Sequence, residues 1–116
     1  MRILILEDDP LTALDLQLLV EECGHEVVGL CDTLAEAGTR LADGLDFAIL
    51  DIDLPDGKSF PIAERLEAGR IPFMFVSASA RSELPAGLRH ATFVAKPYQH
   101  AAIRLSLPAE GLRAAC

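Results

Sequence analysis

The sequence predicts an α/β fold, a doubly wound five-stranded parallel sheet with helices on both faces. Three observations carry this. Short apolar runs alternate with helical patterns along the chain. The runs are apolar at successive positions, as in strands buried on both faces. The 116 residues suit one domain, spanning 1–116, with a single core. Right-handed crossovers between parallel strands then place helices on either side of the sheet.

The strands are expected at residues 3–6, 27–30, 47–52, 72–76 and 92–95. The first helix, over 10–22, has Leu11, Leu14 and Leu18 on one face, Asp9 as N-cap and Gly24 as its stop. Thr33-Leu34-Ala35-Glu36 matches a capping box and opens a second helix ending near Asp43-Gly44. A third helix, over 60–68, has Ile62 and Leu66 four apart and stops at Gly69. The last, over 98–107, sets Tyr98, Ala102 and Leu105 on one face before Pro108. The crossover between the fourth and fifth strands also calls for a helix, but Pro85 and Gly87 fall in its middle. Proline costs roughly 3 kcal/mol inside a helix and glycine about 1, so this fourth helix is expected to be short or irregular.

Composition excludes several classes. The net charge of −8 is uneven: residues 1–56 carry fourteen acids against Arg2 and Arg40, whereas residues 57–116 carry eight bases against four acids. Such a chain does not attract nucleic acid through phosphate contacts, and its acidic half favours a cation. No apolar stretch approaches the ~20 residues of a membrane span, and the N-terminus lacks a signal-peptide layout; a cytoplasmic location is expected. Three cysteines without a CxxC motif suggest reduced thiols. His25, His90 and His100 have no ligand spacing and read as surface or packing residues.

In open parallel sheets, ligands bind at the C-terminal ends of the strands. The residues there are Glu7, Asp8 and Asp9, then Asp51 and Asp53, then Ser77, then Lys96 before Pro97. Crowded carboxylates raise one another's pKa, and a hard cation such as Mg2+ relieves the repulsion through oxygen ligands. A carboxylate can also attack phosphorus to give an aspartyl phosphate, with a metal, an ammonium and a hydroxyl neutralising the transition state. Asp9 reads more simply as an N-cap, the Asp53 side chain as solvent-facing, Asp56-Gly57 as a turn, and Phe93 equally as core.

Four segments in order give a resemblance to the receiver domains of two-component response regulators: Ile-Leu-Ile-Leu-Glu-Asp-Asp at 3–9, Leu-Asp-Ile-Asp-Leu-Pro-Asp-Gly at 50–57, Val-Ser-Ala at 76–78, and Ala-Lys-Pro-Tyr at 95–98. The resemblance implies a flavodoxin-like strand order of 2-1-3-4-5. It also implies Asp51 as phosphoacceptor, Asp8 as direct Mg2+ ligand, Glu7 acting largely through water, and the Asp53 backbone carbonyl on the metal. Ser77 and Lys96 would each bind a phosphoryl oxygen, and Phe93 would be the switch aromatic. Asp53 and Ser79 would tune hydrolysis. The phosphodonor would be a sensor histidine kinase or a histidine phosphotransfer protein.

The chain departs from the family between Ser77 and Lys96, which are nineteen apart, about three fewer than is common. This resembles stand-alone receivers with a reduced fourth helix, some carrying Phe-Ala-Thr-Gly after the fourth strand; here the stretch is Phe75-Val76-Ser77-Ala78. A monomer is expected, with 77–91 ordering or shifting on phosphorylation. Output is expected through an unidentified protein target or a phosphorelay, with no enzymatic activity beyond self-phosphorylation and autodephosphorylation. Two alternatives are a phosphorylation-independent pseudo-receiver and, remotely, a Mg2+-dependent aspartyl-phosphate phosphatase, since Asp51-Ile52-Asp53 fits that nucleophile motif superficially.

Overall fold

The computed structural model describes residues 1–108. Five parallel strands form the main sheet: β1 (Arg2–Leu6), β2 (Glu26–Cys31), β3 (Phe47–Leu50), β6 (Phe73–Ser77) and β7 (Thr92–Ala95). A small antiparallel hairpin, β4 (Asp53–Leu54) with β5 (Gly57–Lys58), follows β3. The sheet order β2-β1-β3-β6-β7 is the expected 2-1-3-4-5 once the hairpin is set aside. Ile3 to Leu6 pair with Phe47 to Leu50, and Met74 to Ser77 with Thr92 to Ala95. All four residues of β3 and all five of β6 are buried, as continuous apolar runs require.

Helices α1 (Pro10–Glu22), α2 (Leu34–Arg40), α3 (Phe60–Ala68) and α4 (His100–Ser106) cover the two faces. On one face, Leu16, Leu19 and Val20 of α1 and Ile103 of α4 pack on Ile3, Ile5, Ile49 and Val76. On the other, Ala37, Ile62, Ala63 and Leu66 pack on Leu4, Leu6, Leu50 and Phe75. The expected caps form: Thr12 N–H donates to Asp9 Oδ2 (3.1 Å) and Glu36 N–H to Thr33 Oγ1 (3.2 Å).

The β6–β7 crossover contains no α-helix. It has two three-residue 3-10 turns, Arg81–Glu83 and Ala86–Leu88, on either side of Pro85, with Leu84 and Leu88 buried as anchors. The break lies where proline and glycine make a continuous helix costly.

Two expectations need correction. The Leu11, Leu14 and Leu18 face of α1 is not its core face: these residues are 79%, 50% and 52% exposed, while Ala13, Leu16, Leu19 and Val20 are buried. Leucines occupy both sides of this helix, so periodicity did not choose between them. The last helix begins at His100 rather than Tyr98, and buries Ile103 while Leu105 is 84% exposed. Cys31 is a buried free thiol, as its sequence context suggests, its pKa pushed up to about 11 by burial.

At the β1–β2 seam the register skips Val28, so that Leu4 faces Gly29. A Cβ on Gly29 would lie 2.7 Å from Cδ1 of the fully buried Leu4. Gly29→Ala is therefore expected to cost about 1–3 kcal/mol through overpacking, read as a lower urea midpoint with an unchanged m-value. Among the described residues, no helix is long and apolar enough to cross a membrane.

Candidate functional site

The backbone brings three strand ends to one edge. Asp51 N–H donates to Leu6 C=O (2.9 Å), and Glu7 N–H to Cys31 C=O (2.9 Å), so the acids after β1 and β3 sit beside one another. Lys96 N–H donates to Ser77 C=O (2.9 Å), which fixes the lysine just beyond the β6–β7 pair, before a cis peptide bond to Pro97.

The side chains converge. Glu7, Asp8 and Asp51 each offer a carboxylate oxygen, all within 4.8 Å of one another. The Lys96 ammonium donates to Glu7 Oε1 (2.5 Å) and to Asp51 Oδ2 (3.1 Å). Asp51 Oδ1 accepts from Ile52 N–H at 2.7 Å, and Glu7 Oε2 from Asp9 N–H at 3.0 Å. The Glu7 and Lys96 side chains are 2% and 19% exposed.

Burial sets the electrostatics. It raises the Glu7 pKa, with the Asp51 charge adding to the rise and the hydrogen bonds from Lys96 and Asp9 opposing it. Burial works against the Lys96 ammonium, but its bonds to Glu7 and Asp51 outweigh this and hold its pKa above the ordinary value. One ammonium thus serves two buried carboxylates, with Asp8 exposed beside them.

This donor set fits a hard divalent cation. Three carboxylates at the mouth of a sheet edge, one of them open to solvent, suit an ion that keeps some of its waters. When bound, Mg2+ would supply Lewis-acid neutralisation of charge on a transferring phosphoryl group.

The other expected residues lie nearby in different roles. Ser77 is the last residue of β6, buried, with its Oγ accepting from Ser79 N–H at 3.2 Å. Among the described residues its hydroxyl proton has no acceptor. The Asp53 carboxylate, expected to face solvent, instead binds Lys58 and the Ser79 hydroxyl, because the hairpin places Lys58 directly opposite it. Phe93 is half-buried on β7, paired in register with Phe75 and packed on the core.

Some residues that shape the region were not singled out from sequence. The Asp56 carboxylate, beyond its turn, accepts from Leu34 N–H (2.8 Å) and Ala35 N–H (3.1 Å), capping α2 from a loop about twenty residues away and lowering its own pKa. Lys58 lies within 3.7 Å of Glu83 as well as binding Asp53. Asp15 on α1 accepts from Tyr98 Oη (2.7 Å) and pairs with His100 Nε2 (3.0 Å). Lys58, next to Gly57 in an acid-rich turn, carried a local hint; the partners of Asp56 and Asp15 carried none.

No family model matches the chain. Among curated proteins it is similar to the phyllosphere-induced regulator PhyR of Methylorubrum extorquens, 36% identical over 104 residues. That match takes in 85% of this chain but 39% of the relative's length. Among solved structures it is similar to SdrG from Sphingomonas melonis Fr1, with 36% identity, a TM-score of 0.81, and coverage of 91% of this chain and 92% of that one. The receiver domain of the PhyR response regulator from Erythrobacter litoralis matches at 27% identity and a TM-score of 0.80, covering 90% and 84%.

With the strand order, the acid–lysine edge and these likenesses together, the chain belongs to the receiver domains of response regulators. Within that family its similarity is to the PhyR and SdrG regulators.

Proposed function

We propose that this domain accepts a phosphoryl group on Asp51 in a Mg2+-dependent reaction and signals through a protein partner. The observation that carries the proposal is the Lys96 ammonium held between Glu7 and Asp51, beside a three-carboxylate cluster. Asp51 is the nucleophile, with Glu7 and Asp8 holding the metal together with it and the Asp53 backbone carbonyl. Lys96 and Ser77 bind phosphoryl oxygens, and Phe93 is the aromatic that responds. Charge on the transferring group is met by preformed donors, where such interactions count most.

The phosphodonor is a histidine kinase or a histidine phosphotransfer protein. The exposed Leu11, Leu14 and Leu18 stripe runs along α1 beside the site, and a groove of about 300 Å³ between Leu11 and Tyr98 has Lys96 in its wall. An apolar helix face next to a nucleophile suits a helical donor. Two relatives support the reading by their descriptions: SdrG has a beryllofluoride-activated conformation, and PhyR of Bartonella quintana is described as an anti-anti-sigma factor. The output partner is a cytoplasmic protein.

Incubation with acetyl phosphate and Mg2+, read by intact mass, tests this. A gain of about 80 Da that is absent without Mg2+ is expected. No gain under either condition would favour a phosphorylation-independent binding module instead.

A further inference from the structure

Between Ser77 and Leu84 the β6–β7 crossover buries no side chain. A polar chain of contacts ties this stretch to the hairpin that follows Asp51. The Lys58 ammonium binds Asp53 directly across the hairpin and lies 3.7 Å from Glu83 Oε1. The other Asp53 oxygen accepts from the Ser79 hydroxyl. Glu83 Oε2 accepts from Ala80 N–H at 3.1 Å, and Ser79 N–H reaches Ser77 Oγ. Both carboxylates are therefore used on both oxygens, and one lysine joins them. Gly57, at φ 135°, lets the hairpin turn so that Lys58 faces Asp53.

We propose that Lys58 is a positioning residue for the Asp51 site, fixing the Ser77 hydroxyl through Asp53 and Ser79 so that it is preset to meet a phosphoryl oxygen. The inference rests on the reading of Asp51 as phosphoacceptor. A single exposed ion pair contributes little; the effect here comes from ordering a segment that has no buried side chain to hold it. A donor already in place stabilises the transition state more than one that must be recruited. The same donor acts in both directions. In uptake, a carboxylate oxygen of Asp51 bonds to phosphorus and the donor's bridging bond breaks. In loss, water adds to phosphorus, the bond to the Asp51 oxygen breaks, and carboxylate, inorganic phosphate and a proton result.

Lys58→Met is expected to slow both uptake from acetyl phosphate and subsequent loss about fivefold at saturating Mg2+, the size of a coupling between contacting residues. Lys58→Arg, which keeps the charge and the donors, is expected to restore most of both rates. In a Ser77→Ala background, Lys58→Met is expected to have no further effect, since the path ends on that hydroxyl. Unchanged rates in Lys58→Met, or a fivefold slowing that persists in the Ser77→Ala background, would overturn the positioning role while leaving the phosphoacceptor reading intact. No mass gain in the unmodified protein would overturn both.

Discussion

Asp51→Asn is expected to abolish the mass gain from acetyl phosphate entirely while leaving the fold unchanged. The loss is complete because the reaction needs a carboxylate oxygen as nucleophile, and an amide oxygen does not replace it. The fold survives because the contacts Asp51 makes are ones that asparagine largely keeps. Its Oδ1 accepts from Ile52 N–H, a bond an amide oxygen also makes, and its backbone N–H to Leu6 C=O does not involve the side chain. Lys96 retains Glu7 at 2.5 Å. Mg2+ affinity is expected to fall on the order of tenfold with one carboxylate gone, since affinity follows the charge count of the ligands. Intact mass, with Mg2+ titration by calorimetry, reads both effects. A variant that still gained phosphate at position 51 would break the assignment of the nucleophile.

The second large effect is at Lys96. Lys96→Met removes the only cation hydrogen-bonded to Glu7 and Asp51 among the described residues. Two consequences separate experimentally. Without metal, the largely buried Glu7 and Asp51 face each other uncompensated, and the protein is expected to lose about 2–3 kcal/mol of stability, at or just below the range for a broken buried pair. Saturating Mg2+ is expected to recover much of this, because it supplies positive charge to the same carboxylates. Phosphoryl uptake, by contrast, is expected to stay about a hundredfold slow even in Mg2+, as when a transition-state donor is removed. Urea unfolding with and without Mg2+ gives the first effect, and the rate of mass gain the second. Equal stability of the variant and the parent without metal would mean that the ammonium does not balance this cluster.

The strand ends were legible because chemistry and position coincide there. An apolar run that stops at a carboxylate specifies both a buried strand and an acid at its mouth, and the runs before Glu7 and Asp51 do this twice. Pro85 and Gly87 marked the broken crossover for an equally local reason, since each acts on its own backbone. The exposed face of α1 was not legible. Leu11, Leu14 and Leu18 have the spacing of a core stripe, and so do the buried residues opposite them; only the sheet beneath decides which side is covered.

The sequence by itself determined the α/β class, the helix caps at Asp9 and Thr33, the shortened crossover, and the candidate acids and lysine, because each follows from side-chain chemistry within a few residues. The tertiary structure alone decided that Lys96 reaches across 89 positions to Glu7, that Asp56 caps α2, and that Lys58 ties Asp53 to Glu83. Those contacts join segments whose separation in the chain carries no signal. They exist because parallel strands bring distant loops to one edge of the sheet, where unlike charges come within bonding distance.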